Sequence, residues 1–243
     1  MFGKSGVIGH RGFWWERRYR FNEESILDFR RCLYSVNPEP RATLMPRASK
    51  QQTQRNRAKI VAAASRLFRE RGPREVSLAD IMQTVGLTNG AFYSQFDSRT
   101  ELVSLACADA FETANARWRR RIASSKRPDR LLKEYVRGYL SITERDDVGG
   151  GCAAAGLVGE LGKADAAANE REAFVKGLRG MIENVHAMHA AAVPGMDKRE
   201  TLTLVATLVG ALALSRATRG DVLAERLLDV TRGAVLSALA AKD

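Results

Sequence analysis

Residues 77–96 read SLADIMQTVGLTNGAFYSQF, and this stretch decides the fold. Ser77 followed three residues later by Asp80 offers a hydroxyl cap and an acidic partner for a helix start, with Leu78, Ile81, Met82 and Val85 as its apolar set. That helix has room for about two turns before Gly86, a residue suited to the left-handed conformation that ends helices. Thr88 then caps a third helix, equally short, with Phe92 and Phe96 four apart on one face. Two short helices joined through a glycine have the proportions of a helix-turn-helix reader of DNA.

The flanks supply what the short helices lack. Upstream, Ile60, Val61, Ala64, Leu67 and Phe68 trace the apolar face of an amphipathic helix over 51–71, stopped by Gly72-Pro73. Downstream, Ser98-x-x-Glu101 opens a long helix whose stripe runs through Leu102, Leu105, Ala106 and Phe111 to Trp118. Further helical segments are predicted at roughly 128–143, 153–162, 165–190, 198–217 and 221–240, with no strand alternation. The expected class is all-α: a three-helix DNA-binding domain at 45–97, then a helical ligand-binding and dimerisation domain at 98–243.

Charge is placed to match. Residues 45–123 hold 14 Lys and Arg against 7 Asp and Glu, whereas 124–243 hold 17 against 16. The basic block points to a polyanion, and nucleic acid is the polyanion a helix-turn-helix expects. The third helix must enter a major groove about 12 Å wide, so Thr88, Asn89, Gly90 and Ala91 keep its start small. With Phe92 and Phe96 turned inward, Asn89, Tyr93, Ser94 and Gln95 are expected to point outward. Arg47, Lys50, Arg55, Arg57 and Arg99 would supply sequence-independent affinity for double-stranded DNA.

Residues 57–106 closely resemble the N-terminal domain of TetR-family transcriptional repressors. They match G-[VL]-[ST]-x-G-x-x-Y-x-x-F-x-S-[KR]-x-x-L without a gap from Gly86 to Leu102. The resemblance implies that Tyr93 and Arg99 grip phosphates, that Ser77 stands at the DNA-facing start of the second helix, and that Thr88, Asn89, Gly90, Ala91, Ser94 and Gln95 lie against the groove. Arg99 stands where the family usually has lysine, and Ile81-Met82 where it has Ile-Ala. It further implies a C-terminal domain that binds an inducer and forms a homodimer through its last two helices, here 198–217 and 221–240. Residues 149–162, GGGCAAAGLVGELG, resemble a Gly-Cys segment in a branch of the family that includes repressors of drug-efflux genes.

The expected ligand is a small apolar or amphipathic molecule, with Phe111, Trp118, Cys152, Phe174 and Met181 as its lining. Alternatives are a helical interaction module and a redox-responsive regulator acting through Cys152. Enzyme chemistry has little to stand on: three histidines, no G-x-S-x-G and no H-E-x-x-H. GLVGELGKA, from Gly156, misplaces the first glycine of a phosphate loop and has Ala164 at the hydroxyl position. His186-x-x-His189 lacks a third ligand, and no metal or cofactor is expected.

Residues 1–44 carry no steady period, and Met45 is an expected start, with the preceding segment dispensable. A short helix over 23–34 fits that segment's pattern. The three scattered cysteines indicate no disulfide framework, and the 15-residue uncharged run at 201–215 is shorter than the roughly 18 residues that read as a membrane span, so a cytoplasmic protein is expected.

Overall fold

The computed structural model describes residues 50–193, 195 and 197–241. The expectations for residues 1–44, for the helix at 23–34 and for Arg47 lie outside them. Ala48–Asp243 form one compact unit, so the change of role expected at Ser98 falls inside a continuous body. Among the described residues the structure is all helix, in ten segments.

The first four build the helix-turn-helix end. In α1 (Lys50–Arg71) the face of Ile60, Ala64, Leu67 and Phe68 is buried. It ends where Gly72 takes φ +86° and its N–H donates to the Phe68 carbonyl, 2.9 Å away. In α2 (Leu78–Thr84) the capping box is complete: the Ser77 hydroxyl accepts from Asp80 N and the Asp80 carboxylate accepts from Ser77 N. Gly86, at φ +68°, turns the chain into α3 (Asn89–Tyr93). This helix closes before Phe96, yet Phe92 and Phe96 still stack in the core at 5.1 Å, each burial stabilising by roughly 1.5–3 kcal/mol. Ser98 caps α4 (Arg99–Ser124), which runs two turns beyond the expected end at Trp118.

The segment expected as one helix over 128–143 is two, α5 (Pro128–Tyr139) and α6 (Ile142–Asp146). The break comes from Ser141, whose hydroxyl donates to the Gly138 carbonyl and accepts from Glu144 N, ending one helix while capping the next. A tight loop through Gly149, Gly150 and Gly151 leads into α7 (Ala153–Leu161). Asp147 folds this loop: its carboxylate accepts from Gly150 N and its carbonyl from Gly151 N, both at 2.8 Å.

The long α8 (Ala168–Ala192) begins three residues later than expected and packs along α4. A side chain at Gly177 would overlap the Phe111 ring, so glycine sets the close approach of these two helices. Asn115 and Asn184 fasten them: Asn115 Nδ2 donates to the Gly177 carbonyl at 3.0 Å, and Asn184 Nδ2 to the Asn115 carbonyl at 3.2 Å. The chain ends in a hairpin of α9 (Lys198–Ala217) and α10 (Val222–Ala240), capped by Asp197 and Asp221. By length and composition α9 qualifies as a membrane span, but Leu204, Leu208 and Leu212 are buried against other helices of the fold.

Candidate nucleic-acid interface and ligand cavity

At the helix-turn-helix end, burial of Phe92 and Phe96 fixes which side of α3 faces out. Thr88, Asn89, Gly90, Tyr93 and Ser94 are exposed, Tyr93 to 75%, and Ala91 is half-buried. The Thr88 side chain makes no cap bond. A Cβ at Gly90 would meet only Thr88 Oγ1, at 4.0 Å, so no internal contact requires the glycine. Ser77 is exposed at the start of α2, and Lys50 and Arg55 are exposed on α1.

Two expected contacts sit differently. Gln95 does not point freely outward: its Nε2 donates back to the Ala91 carbonyl at 3.0 Å, and its Oε1 is buried without a partner. Arg99 lies over the Phe68 ring at 5.9 Å and donates to the Pro73 and Val76 carbonyls. Those carbonyls precede the first turn of α2, so the guanidinium, though Arg99 is exposed, also holds the α1–α2 turn. Arg57 is likewise structural. It lies over Phe96 at 4.3 Å, bonds the Gln95 carbonyl and pairs with Glu101 at 2.6 Å, tying α1 to the end of α3 and the start of α4. That pairing, with the Asp97 N–H on the same carboxylate, holds Glu101 below the usual carboxylate range.

Farther along α4 lies a cavity of about 170 Å³. It brings together Phe111, Trp118, Cys152 and Met181 of the expected lining. Phe174 is not in its wall; it packs edge-on against Phe111, 5.4 Å between ring centres. Sequence reasoning missed the rest of the wall, above all Tyr135, Tyr139, Glu144 and Arg117. Trp118 is held by an edge-to-face contact with Tyr135 at 4.8 Å and by the Arg121 guanidinium over its ring at 5.0 Å.

The polar groups of the wall are few. Tyr139 donates its hydroxyl proton to Cys152 Sγ, 2.8 Å away. Glu144 accepts from Cys152 N at 2.7 Å, reaching across the α6–α7 loop. Burial pushes the Cys152 thiol and both tyrosine hydroxyls up, so all three stay protonated at neutral pH. Burial likewise pushes the Cys107 thiol up to about 12. A protonated thiol is a weak nucleophile, which removes support from redox sensing at Cys152. Among the described residues no group of three or more His, Cys, Asp or Glu is placed to hold a metal ion.

The loop that closes the cavity also touches the helix-turn-helix end. Arg69, on α1, donates to the Gly151 carbonyl at 2.8 Å, and Gly156 of α7 lies against the Arg69 side chain. At the other end of α7, Arg74 pairs with Asp165 and, at 3.5 Å, with Glu160.

This architecture is that of a helix-turn-helix protein built on an all-helical bundle. The family model described as bacterial regulatory proteins, tetR family, matches residues 60–106. The chain is 41% identical over 69 residues to the HTH-type transcriptional regulator TtgR of Pseudomonas putida, a match covering 28% of this chain and 33% of that protein. The alignment thus spans about a third of the curated relative. Similar solved structures cover much more. A TetR transcriptional regulator from Chloroflexus aurantiacus superposes with TM-score 0.62 at 24% identity, over 76% of this chain and 96% of that one. The reduced form of E. coli NemR does so with TM-score 0.61 at 21% identity, over 74% and 96%. Residues 60–106 thus match the TetR-family domain, and the helical body has the fold of solved TetR-family regulators.

Proposed function

We propose that this chain is a sequence-specific DNA-binding regulator of transcription, a cytoplasmic homodimeric repressor that leaves its operator when a small molecule occupies the cavity. The observation that carries the reading is α3: its inner face is fixed by Phe92 and Phe96, while Thr88, Asn89, Gly90, Tyr93 and Ser94 stand exposed. Asn89 and Thr88 offer donors and acceptors for base edges, and Gly90 lets the helix backbone approach the groove floor. Tyr93, Ser77, Lys50 and Arg55 reach for phosphates, joined by Arg47. Arg99 acts first by holding the α1–α2 turn, so that α2 and α3 meet the duplex as one rigid piece.

Release follows from the continuity of the fold. The α4 helix begins at the DNA-binding end and carries Phe111 and Trp118 into the cavity wall, while Arg69 joins the opposite wall to α1. A ligand that favours a different spacing of these walls shifts the population toward a conformation in which the recognition helices of the dimer no longer match successive grooves. Weakening DNA binding a hundredfold requires a preference of about 2.7 kcal/mol.

The test is selection of bound duplexes from a random library, followed by titration over a salt series. The reading predicts an enriched palindrome with half-sites about one helical turn apart, or somewhat more, and affinity that falls steeply with salt. Recovery of unenriched sequence, or of no duplex at all, would sink it and favour a helical interaction module.

A further inference from the structure

A second concentration of charge lies toward the far end of α4 from α3. Residues 117–137 hold nine Lys and Arg against two Asp and Glu, across the end of α4 and most of α5. Four of the 14 cations in residues 45–123 belong to it, so part of the charge that points to nucleic acid stands away from the helix-turn-helix. Arg119, Arg120, Lys126, Arg130 and Arg137 are exposed. The Arg121–Glu134 pair, at 2.5 Å, and the edge-to-face contact of Trp118 with Tyr135 join the two helices, so their outer faces make one surface. Arg119 pairs with Glu112 at 2.5 Å, but both are more than half exposed, and such a pair contributes little and can yield to a phosphate. Among the described residues Lys126, Arg130 and Arg137 make no ion pair.

We propose that this surface binds a second DNA duplex, so that one regulator holds two segments of DNA; the bridging, though not the surface, rests on α3 meeting an operator. Helix α4 has 26 residues and spans about 39 Å. The persistence length of DNA is about 50 nm, so a duplex seated on α3 does not curve back over that distance. The far surface therefore meets a separate duplex or a distant part of the same one. Seven of the nine cations are arginines, whose planar forks fit phosphate oxygens two at a time. Arg130 and Arg137, seven residues apart, share the outer side of α5, opposite the buried Leu131, Leu132, Tyr135 and Val136. A lipid surface fits less well. An interfacial helix sinks its apolar side into the bilayer, whereas that side of α5 is buried in the core, and no large apolar side chain described between 117 and 137 is exposed. A duplex presents one charge per about 1.7 Å of its axis, enough to meet these cations together, and releases counterions as they bind.

The test uses the full-length protein and two probes: a palindromic duplex recovered by the selection above, fixed to beads, and a free fluorescent duplex of random sequence. Protein held on the beads should capture the free duplex, and Arg120→Gln, Lys126→Gln and Arg130→Gln combined should lower that capture at least tenfold. Retention of the protein on the beads should change less than twofold, because at 0.1 M salt the Debye length is about 10 Å, far shorter than α4. All three side chains are exposed, and a melting curve checks the fold of the variant. Should it not fold, competition on the unaltered protein decides: unlabelled random duplex should displace the captured one at a tenth or less of the charge concentration that phosphatidylserine vesicles or polyglutamate require. Absence of capture, capture indifferent to the triple substitution, or stronger competition by vesicles or polyglutamate would each overturn the assignment. A palindrome retained without capture of the free duplex refutes the second surface and keeps the repressor. If selection yields no palindrome, the repressor reading falls, and the random duplex should still bind and lose at least tenfold in affinity with the triple substitution.

Discussion

The guanidinium of Arg69 on α1 donates to the carbonyl of Gly151, 2.8 Å away, in the loop that forms one wall of the cavity. A second bond from the same side chain, Nε to the Ser65 carbonyl at 3.0 Å, fixes the guanidinium to its own helix. Any displacement of the loop is therefore felt by α1 without passing along α4.

Arg69→Met should remove this link while keeping most of the apolar stem. Losing a charged donor to a part-buried carbonyl costs about 1–3 kcal/mol, so the melting temperature should fall by several degrees. Calorimetric affinity for a cavity ligand should change little, but the ligand's effect on operator affinity should shrink. If the ligand releases DNA from the variant as fully as before, α4 alone carries the coupling.

At Gly90 the expectations for stability and for DNA binding separate. The position faces open space, so Gly90→Ala should leave the fold unharmed or stabilise α3 by up to about 1 kcal/mol. Gly90→Leu should also fold, yet it should cost operator binding tenfold or more by holding the helix off the groove. Equal DNA affinity for the leucine variant would show that this face does not meet the duplex.

How much of this was legible in the sequence follows from how local each signal is. The span of α2 and the start of α3 depend on Ser77, Asp80, Gly86 and Thr88, all acting within a few residues of themselves, and they fell within a residue or two of expectation, whereas α3 ends three residues before Phe96. The split at Leu140 was also written locally, in Ser141-x-x-Glu144, but the apolar period running through 128–143 masked it. The inward turn of Gln95 and the carbonyl bonds of Arg99 were not legible, because a residue pattern gives the side of a helix, not whether a polar group finds a carbonyl nearby. Phe174 and Met181 share a face at seven-residue spacing, which fixes direction but not depth. The contribution of Glu144 depends on a three-glycine loop that returns Cys152 N to its carboxylate, and no periodicity predicts that closure.

Salt dependence should distinguish charged from neutral phosphate contacts. Lys50→Ala or Arg55→Ala should weaken binding to all duplexes alike and reduce the slope of log affinity against log salt by about one for each cation removed. Tyr93→Phe should weaken binding as uniformly while leaving the slope nearly unchanged, because the hydroxyl displaces no counterion. A changed base preference in the tyrosine variant, measured on a panel of operator mutants, would count against its role at the DNA backbone.

Glu101 ties the DNA-binding helices together in a pH-dependent way. Its pKa is depressed in the fold by the Arg57 guanidinium, so its contribution is complete at neutral pH, declines once the pH drops below the unfolded carboxylate value, and is gone below the folded one. Glu101→Gln should lower the melting temperature slightly at pH 7, and the gap to the unaltered protein should close through that acidic window. The effect is small because the pair is about a third exposed. A gap that stays constant from pH 7 to pH 3 would place the loss in packing rather than charge.

The last prediction concerns the helices at the C-terminal end. The α9–α10 hairpin buries Leu208, Leu212 and Leu228 inside the protomer, yet leaves Leu202 and Leu214 about half exposed, Val230 63% exposed and Val222 82% exposed. Large apolar side chains spread along two adjacent helices form a surface that water disfavours, and a second copy related by a twofold axis would cover it with a four-helix arrangement. Leu214→Glu combined with Val230→Glu should therefore give a monomer by light scattering, with helical content retained because neither side chain is buried in the protomer. Operator affinity should then fall far more than for any single phosphate-binding side chain, since the second half-site is no longer presented at high effective concentration. If the double variant stays dimeric and binds the palindrome as before, the subunits meet through another surface, and α9 and α10 are not the helices that set the spacing of the two recognition helices.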